Sequence, residues 1–547
     1  MKLGMIERGK GAGSTPEQTT QSVRPSEHSS LVRSAGVMGS LTAISRVLGF
    51  VRDCLIASAY GTSVPAQAFV VAFRIPNLLR DMAGEGAANS AFVPVFSRTR
   101  TLQGQASWVA LAQAVWSRVL IGFLLVSVLG VVAAPWLVML VAPGFRGDPE
   151  LMGLTIRLTR ILFPFIGLVG MAAFFMGVLN SVDHFTLPSL GPALLNVCMI
   201  AGIFLWRPDA LGLARGVMVG GVIQLAVQIP ALRRAGMSLR PRWKWHPGVG
   251  QICQLLIPRT IGTGVYQLSV LVDTVFASFS RLVGAGGIAA LYFAYRFLQL
   301  PMALFGISMA QAALPAMARQ AAMEDLPAIR KTCLLALRSS LFIAFPASIG
   351  LIFMGYPIIQ TLLERGAFSR QATGVTVATL QWYAVGLASM CAVKVLANTL
   401  YAFHDTWTPV RSAVIALVGN LIMNSILVWP MKLPGLALAT SLSSTLNSVH
   451  LYLAVRKRIG RFESRLRYWV ARVVASSIGM GFVAAGLWSL GTSILGLQHT
   501  IAAIAWLFVS ISCGAASFFL FGLLLRVEEA QQVTSWLFEK IGSFRRS

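Results

Sequence analysis

Eight stretches of this chain run for twenty residues or more without one charged side chain: Val119–Phe145, Ile161–Val182, Ser340–Leu363, Ala372–Val393, Ser412–Met431, Leu433–Val455, Val473–Gln498 and Thr500–Leu525. A helix needs about 20 mostly apolar residues to cross the hydrocarbon core of a bilayer. Inside lipid, each backbone polar group must be satisfied within its own segment, so such stretches are helices. Two more, near 187–206 and 216–232, are nearly as clear, and four apolar segments carry charges, roughly 35–60, 67–97, 250–280 and 287–318. The reading is an all-α polytopic membrane protein of about 14 transmembrane helices. With 56% hydrophobic and 12% charged residues, soluble domains of ordinary composition cannot make up most of it.

The formal charge of +26 would suggest nucleic acid in a soluble protein. In a membrane protein it is explained first by orientation and by anionic lipid head groups, so nucleic acid is not expected as a partner. Cytoplasmic loops hold the excess of Lys and Arg. Alternate connections here carry Arg98 and Arg100; Arg233, Arg234, Arg240, Arg242 and Lys244; Arg319, Arg330 and Lys331; then Arg456, Lys457, Arg458 and Arg461. The intervening connections carry few cations, which places both termini in the cytoplasm. Residues 1–33 are polar and basic, with no apolar core, and read as a disordered cytoplasmic tail rather than a signal peptide. The six cysteines have no metal-binding or disulfide spacing and read as packing residues.

Compared with itself, the chain shows a period of about 221 residues. Ala72-Phe73-Arg74 is echoed by Ala294-Tyr295-Arg296, and Pro94 by Pro315; Leu179, His184 and Pro188 are echoed by Leu400, His404 and Pro409, with the histidine slipped by one. Two pseudo-symmetric six-helix lobes follow, 34–240 and 241–458, related by an axis along the membrane normal as in transporters built from parallel repeats. The segment 459–547 holds two further helices outside the repeat.

The charged spans are informative because an arginine at the centre of a spanning helix costs roughly 2.5–3.5 kcal/mol on insertion scales. Arg46, Arg52, Arg74, Arg80 and Arg296 therefore point to a shared water-filled cavity. Guanidinium groups are planar, permanently charged and bidentate, which suits phosphate or diphosphate oxygens. Asp53 and Glu85 would hold arginines in place when substrate is absent. The plainer alternative pairs Arg52 with Asp53 or Glu85 and lets Arg80 snorkel to an interface. Asp273 stands at the repeat position of Asp53 and suggests a proton or cation site completed by Asn398, Asp405 and Thr408. The alternative there is a salt bridge to Arg259 or Arg296.

Ser45-Arg46-Val47-Leu48-Gly49-Phe50 with Arg52-Asp53, Ala72-Phe73-Arg74-Ile75-Pro76-Asn77-Leu78-Leu79-Arg80, Glu85-Gly86-Ala87 and Ala91-Phe92-Val93-Pro94 together resemble the MurJ (MviN) lipid II flippases. Ala142-Pro143-Gly144-Phe145, Pro192-x2-Leu195-Asn196, Phe276-Ala277-Ser278-Phe279, Arg296 and Thr408-Pro409 extend the resemblance over nearly the whole chain. It implies a member of the multidrug/oligosaccharidyl-lipid/polysaccharide exporter superfamily. The implied task is to move an undecaprenyl-diphosphate-linked peptidoglycan precursor across the bacterial inner membrane. The family's essential arginines match Arg46, Arg52, Arg80 and Arg296, its essential acid matches Glu85, and its last two helices form a groove for the lipid tail. The chain departs from many relatives at Gln67, a gate position with Asp elsewhere, at Asp81 and at Tyr295.

The expected function is a lipid II flippase working by alternating access. It is a transporter rather than an enzyme, without a cofactor, monomeric, and driven by the membrane potential or a coupled monovalent cation. The alternative is an exporter of another lipid-linked oligosaccharide, or a cation-coupled drug antiporter of the same superfamily. A drug antiporter would line its cavity with acids and aromatics rather than arginines. An embedded transferase would need clustered carboxylates, and the 19 acids of this chain form no such set.

Overall fold

The structure is a computed structural model and describes residues 25–83, 91–206, 209–462, 466–496 and 500–544. Among these residues there are helices and short turns and no strand. Among the described residues, nine helices are long and apolar enough to cross a membrane, or ten with the bent pair counted as one span.

The first element, α1 (Pro25–Tyr60), turns sharply into α2 (Val64–Ala83). It begins inside the stretch 1–33 that the sequence assigns to a disordered tail. Proline is suited to a helix start because its missing N–H has no intrahelical partner there, so residues 25–33 continue the first span as helix. The chain then forms α3 (Val93–Val141), broken at Gly104, whose φ of 80° separates a short arm from the long apolar helix. Helices α4 (Pro149–Leu162) and α5 (Phe165–Asn180) form one broken span, followed by α6 (Thr186–Leu205), α7 (Ala210–Ala226) and α8 (Ile229–Arg234). Gly202, Gly212 and Gly216 let α6 and α7 meet backbone to backbone, as small residues do in membrane bundles.

The second half repeats this order. It contains α9 (Pro247–Ala277), the short α10 (Ser280–Val283) and α11 (Gly287–Pro301), which runs through a π-turn into α12 (Ser308–Ala322). Then come α13 (Leu326–Leu363), α14 (Arg370–Val385) and α15 (Leu387–Ala402), the last two bent by 41°, then α16 (Trp407–Met431) and α17 (Leu433–Ile459). Outside the repeat, α18 (Leu466–Leu495) and α19 (Thr500–Leu524) pack on α13. The final helix, α20 (Glu528–Phe544), is tied to that group by Arg338 of α13, which meets Glu528 at 2.9 Å and Glu529 at 2.7 Å.

The repeat is visible in backbone detail. After α5 the amides of Val182 and His184 both donate to Leu179, and after α15 those of Phe403 and Asp405 both donate to Leu400. The left-handed residue is Asp183 (φ 63°) in one turn and His404 (φ 59°) in the other. Asp and His are among the few side chains that tolerate this conformation. The histidine slipped in the sequence comparison because the turn, and not the imidazole, is what repeats.

Among the described residues, buried side chains of the two halves form one shared core and one separate core in each half, and two smaller clusters join α13 to the C-terminal helices. The shared core brings Ile56, Phe69, Phe145 and Phe165 together with Phe293, Phe368 and Tyr383. Phe92, Trp108, Trp116 and Phe174 form a core centred on α3 and α5, and Cys333, Val395 and Leu451 form its counterpart in α13, α15 and α17. The separate cores lie towards the end that carries the Arg233–Arg234 and Arg456–Arg458 connections. The halves are joined at the opposite end.

Candidate functional site

At the joined end the two halves contact each other crosswise. The Ala367 amide donates to the Ser58 carbonyl at 2.9 Å, and the Gly144 amide donates to Ser278 Oγ at 2.9 Å. Ser58 and Ser278 end the first span of each half, while Gly144 and Ala367 lie in corresponding connections. A Cβ at Gly144 would sit 2.4 Å from the Ser278 backbone, and one at Gly366 2.3 Å from the Ser58 carbonyl. Nothing larger than glycine fits this seal. Gln67 is half-buried in the first turn of α2 at the same end, its amide bonded to Ser63.

Below the seal, Asp53 is a hub for both halves. Its Oδ1 accepts from Arg52 Nη2 at 2.7 Å and from Tyr292 Oη at 3.0 Å, and its Oδ2 lies 3.2 Å from Arg296 Nε. Arg296 Nη2 donates to Tyr292 Oη at 3.0 Å and Nη1 to Gln299 at 2.9 Å. Arg52 Nη1 donates to Asn196 Oδ1 at 2.7 Å, and the Asn196 amide group donates to the Ser45 carbonyl at 3.0 Å. Arg52 and Asp53 are buried, whereas the Arg296 side chain keeps 33% of its surface. One carboxylate against two guanidinium groups leaves the cluster with one positive charge in excess. Arg46 is exposed on α1, beyond the cluster towards the basic end. The side chains of Arg80 and Arg259 and the whole of Glu85 lie outside the described residues.

The repeat-related arginine also reaches across. Arg74 of α2 donates through Nη1 to Thr274 of α9. Beside it, buried Asp273 accepts from Asn424 Nδ2 at 2.8 Å and from Thr440 Oγ1 at 2.8 Å. Asn420 Oδ1 accepts from Asn424 at 3.1 Å, and the buried Asn424 Oδ1 has no hydrogen-bond partner among the described residues. Arg74 and Asp273 line a cavity of about 140 Å³ that also includes Lys394, Tyr383 and Tyr295.

The sequence-derived cation set is therefore corrected. Asp273 is accompanied by Asn420, Asn424 and Thr440 and not by Asn398, Asp405 or Thr408. Asn398 donates to the Ala310 carbonyl at 2.8 Å. Asp405 caps α16, accepting from the Thr408 amide at 3.0 Å and its hydroxyl at 2.8 Å, and pairs with Arg458 at 3.1 Å. The Thr408 amide, its hydroxyl and the Arg458 guanidinium hold the Asp405 carboxyl below its ordinary value. Twelve residues of helix, about 18 Å at 1.5 Å each, separate Thr408 from Asn420. The acid beside Arg296 is Asp53, supplied by α1.

Sequence reasoning passed over Tyr292, Asn420, Asn424 and Thr440 and gave Asn196 no role. The available signal was a pair of asparagines four residues apart, hence on one helix face, inside a charge-free span.

The sequence profile of the family described as lipid II flippase MurJ matches residues 56–507. The chain is 35% identical to the lipid II flippase MurJ of Burkholderia cenocepacia over 471 residues, covering 84% of this chain and 89% of that one. It is 35% identical to the probable lipid II flippase MurJ of Vibrio cholerae, over 91% and 96% of the two chains. Among solved structures, a lipid II flippase MurJ in an inward closed conformation superposes with a TM-score of 0.75 at 25% identity, covering 89% of this chain and 98% of that one. An inward-facing multidrug transporter of the MATE family shares the fold, with a TM-score of 0.63 at 14% identity over 78% of this chain and 98% of that one. The chain belongs to the MurJ lipid II flippase family.

Proposed function

We propose that this chain moves lipid II from the cytoplasmic to the periplasmic leaflet of the bacterial inner membrane for peptidoglycan synthesis, by alternating access between its two halves. The observation that carries the reading is the convergence of Arg52 and Arg296, from opposite halves, on the single carboxylate of Asp53. A diphosphate offers more acceptor oxygens than one carboxylate and takes both guanidinium groups bidentately. Asp53 then acts as a stand-in that keeps two inward-facing cations tolerable while substrate is absent. Arg46, Arg74 and Arg80 extend the cationic path, with Glu85 and Gln67 in the supporting and gating roles the resemblance implies.

Counting broken helices as single crossings, and adding α1, α2, α9 and α17, gives about fourteen crossings. This arrangement supports lobes at 34–240 and 241–458 with a lipid-tail groove formed by α18 and α19. The basic connections then face the cytoplasm with both termini, and the glycine seal closes the periplasmic side. We read the protein as a monomer.

The membrane potential favours outward movement of an anion by about 2.3 kcal/mol per uncompensated charge per 100 mV. A monovalent cation fits beside Asp273, where Asn420 and Thr440 offer oxygens and the unpartnered Asn424 Oδ1 supports a ligand. Asp273, Asn420, Asn424 and Thr440 would hold it, and it would offset the aspartate's charge.

The test is depletion of the protein in its native cell, with periplasmic access of radiolabelled lipid II as readout and rescue by wild type, Arg52→Ala or Arg296→Ala. Access should fall on depletion and return only with wild type. Unchanged access would mean that the substrate is another lipid-linked molecule or that the protein does not transport.

A further inference from the structure

We infer that the cleft between the N-terminal end of α16 and the C-terminal end of α17 binds the phosphodiester head group of an anionic membrane lipid. The cleft has a volume of about 1090 Å³, and Arg411, Arg456, Lys457 and Arg461 line it with no carboxylate among the lining residues. None of these four pairs with a carboxylate among the described residues, since the nearby Asp405 is taken by Arg458. Four cations around one open volume form an anion site.

His450 supplies an independent sign of a ligand. It lines the cleft, and its Nδ1 is buried without a hydrogen-bond partner among the described residues. A buried polar atom left unpaired costs free energy that a phosphate oxygen or its water would recover.

The apolar floor decides between a lipid and a free phosphate. Val414, Ile415 and Leu453 line the same cleft and are exposed on the outer surface of the helices, where acyl chains run. Trp407, also exposed, stands at the mouth, as aromatic residues do at head-group depth. A soluble anion has no use for this continuation.

The repeat separates the site from a general excess of cytoplasmic charge. The left-handed residues Asp183 and His404 set the correspondence at one end of the helix pair, and Gly236 (φ 85°) and Gly460 (φ 87°) set it at the other. By these anchors Leu190 stands where Arg411 does, Leu232 where Arg456 does, and Met237 where Arg461 does. Lys457 alone keeps a basic counterpart, Arg233. A rule acting on loop charge alone would have marked both clefts.

The experiment is native mass spectrometry of the purified full-length chain with phosphatidylglycerol, phosphatidylcholine or inorganic phosphate. Wild type should retain phosphatidylglycerol in preference to phosphatidylcholine, and millimolar phosphate should not displace it. Each cation removed should weaken retention about fivefold, from ~1 kcal/mol per basic side chain at an anionic surface and 1.4 kcal/mol per tenfold. Arg411→Gln alone should show this, and Arg411→Gln with Arg461→Gln about 25-fold. Arg319→Gln, basic and outside the cleft, should leave retention unchanged. Equal retention of phosphatidylcholine, displacement by phosphate, or wild-type retention by the Arg411→Gln variant would each overturn the proposal.

Discussion

Tyr292 sits where the two halves share one carboxylate. Its hydroxyl donates to Asp53 and accepts from Arg296, so it sets the angle between an acid from α1 and a guanidinium from α11. Tyr292→Phe keeps the ring and removes both bonds. Lipid II flipping should fall on the order of tenfold, the scale of one lost hydrogen bond to a charged group, with the thermal midpoint of the purified protein little changed. Asp405 offers a different test at the same scale. Its folded carboxyl titrates below the ordinary 3.8, so the stability it lends is present above that value and is lost as pH falls through the folded pKa. In a melting series from pH 7 to pH 3, wild type should start more stable than Asp405→Asn and lose more, so that the difference between them closes at the acid end.

Why some residues were legible and others not follows from what each side chain costs in lipid. Arg52, Arg74 and Arg296 announce themselves because a charge in an apolar span needs a reason. Asn420, Asn424 and Thr440 are neutral, cost less, and disappear among the other neutral polar residues of the spans until the fold sets them around Asp273. Asp405 and Thr408 misled because their oxygens fit a cation by type while their spacing, three apart at a helix start, is that of a cap. The pairing of Arg296 with Asp53 was hidden for another reason: its partners lie in different halves, and sequence distance carries no sign of that contact.

At the scale of elements, the seal depends on backbone meeting backbone. The connection after α3 presses on the end of α9, and the connection after α13 presses on the end of α1, each through a glycine. Gly144→Ala and Gly366→Ala should each cost about 1–3 kcal/mol of the sealed form, the usual scale of overpacking. A spin label pair at residues 58 and 367 should then report a longer mean distance than in wild type. Unchanged distances in both variants would show that the connections yield elsewhere. The long apolar helices were legible at this scale because length and lack of charge suffice. The helical start at Pro25 was not, since its residues are polar and hydropathy is silent on them.

For the whole molecule, separate cores at one end and a shared core at the other describe two bodies hinged near the seal. Moving between faces requires the shared core to part and the separate ones to approach. If the membrane potential drives that movement, collapsing it with ion gradients held constant should slow flipping; an unchanged rate would leave ion coupling at the Asp273 cluster as the energy source. The repeat was legible from the echoes of Arg74 in Arg296, of Pro94 in Pro315, and of Leu179 and Pro188 in Leu400 and Pro409. The direction in which the lobes part was not, because it depends on contacts between them.

The crosswise contacts have a consequence of their own. Arg296 reaches Asp53 while Arg74 reaches Thr274 beside Asp273, and the Ser58 and Ser278 contacts cross in the same way. This is the pattern of an isologous two-fold dimer, in which each surface patch meets its own copy, written into a single polypeptide. In a true dimer both copies of the contact must be identical. Joined in one chain they are released from that constraint, so one became a carboxylate holding two guanidinium groups and the other a carboxylate among amides and a hydroxyl. Symmetry supplied the frame, and its breaking supplied two chemically distinct stations.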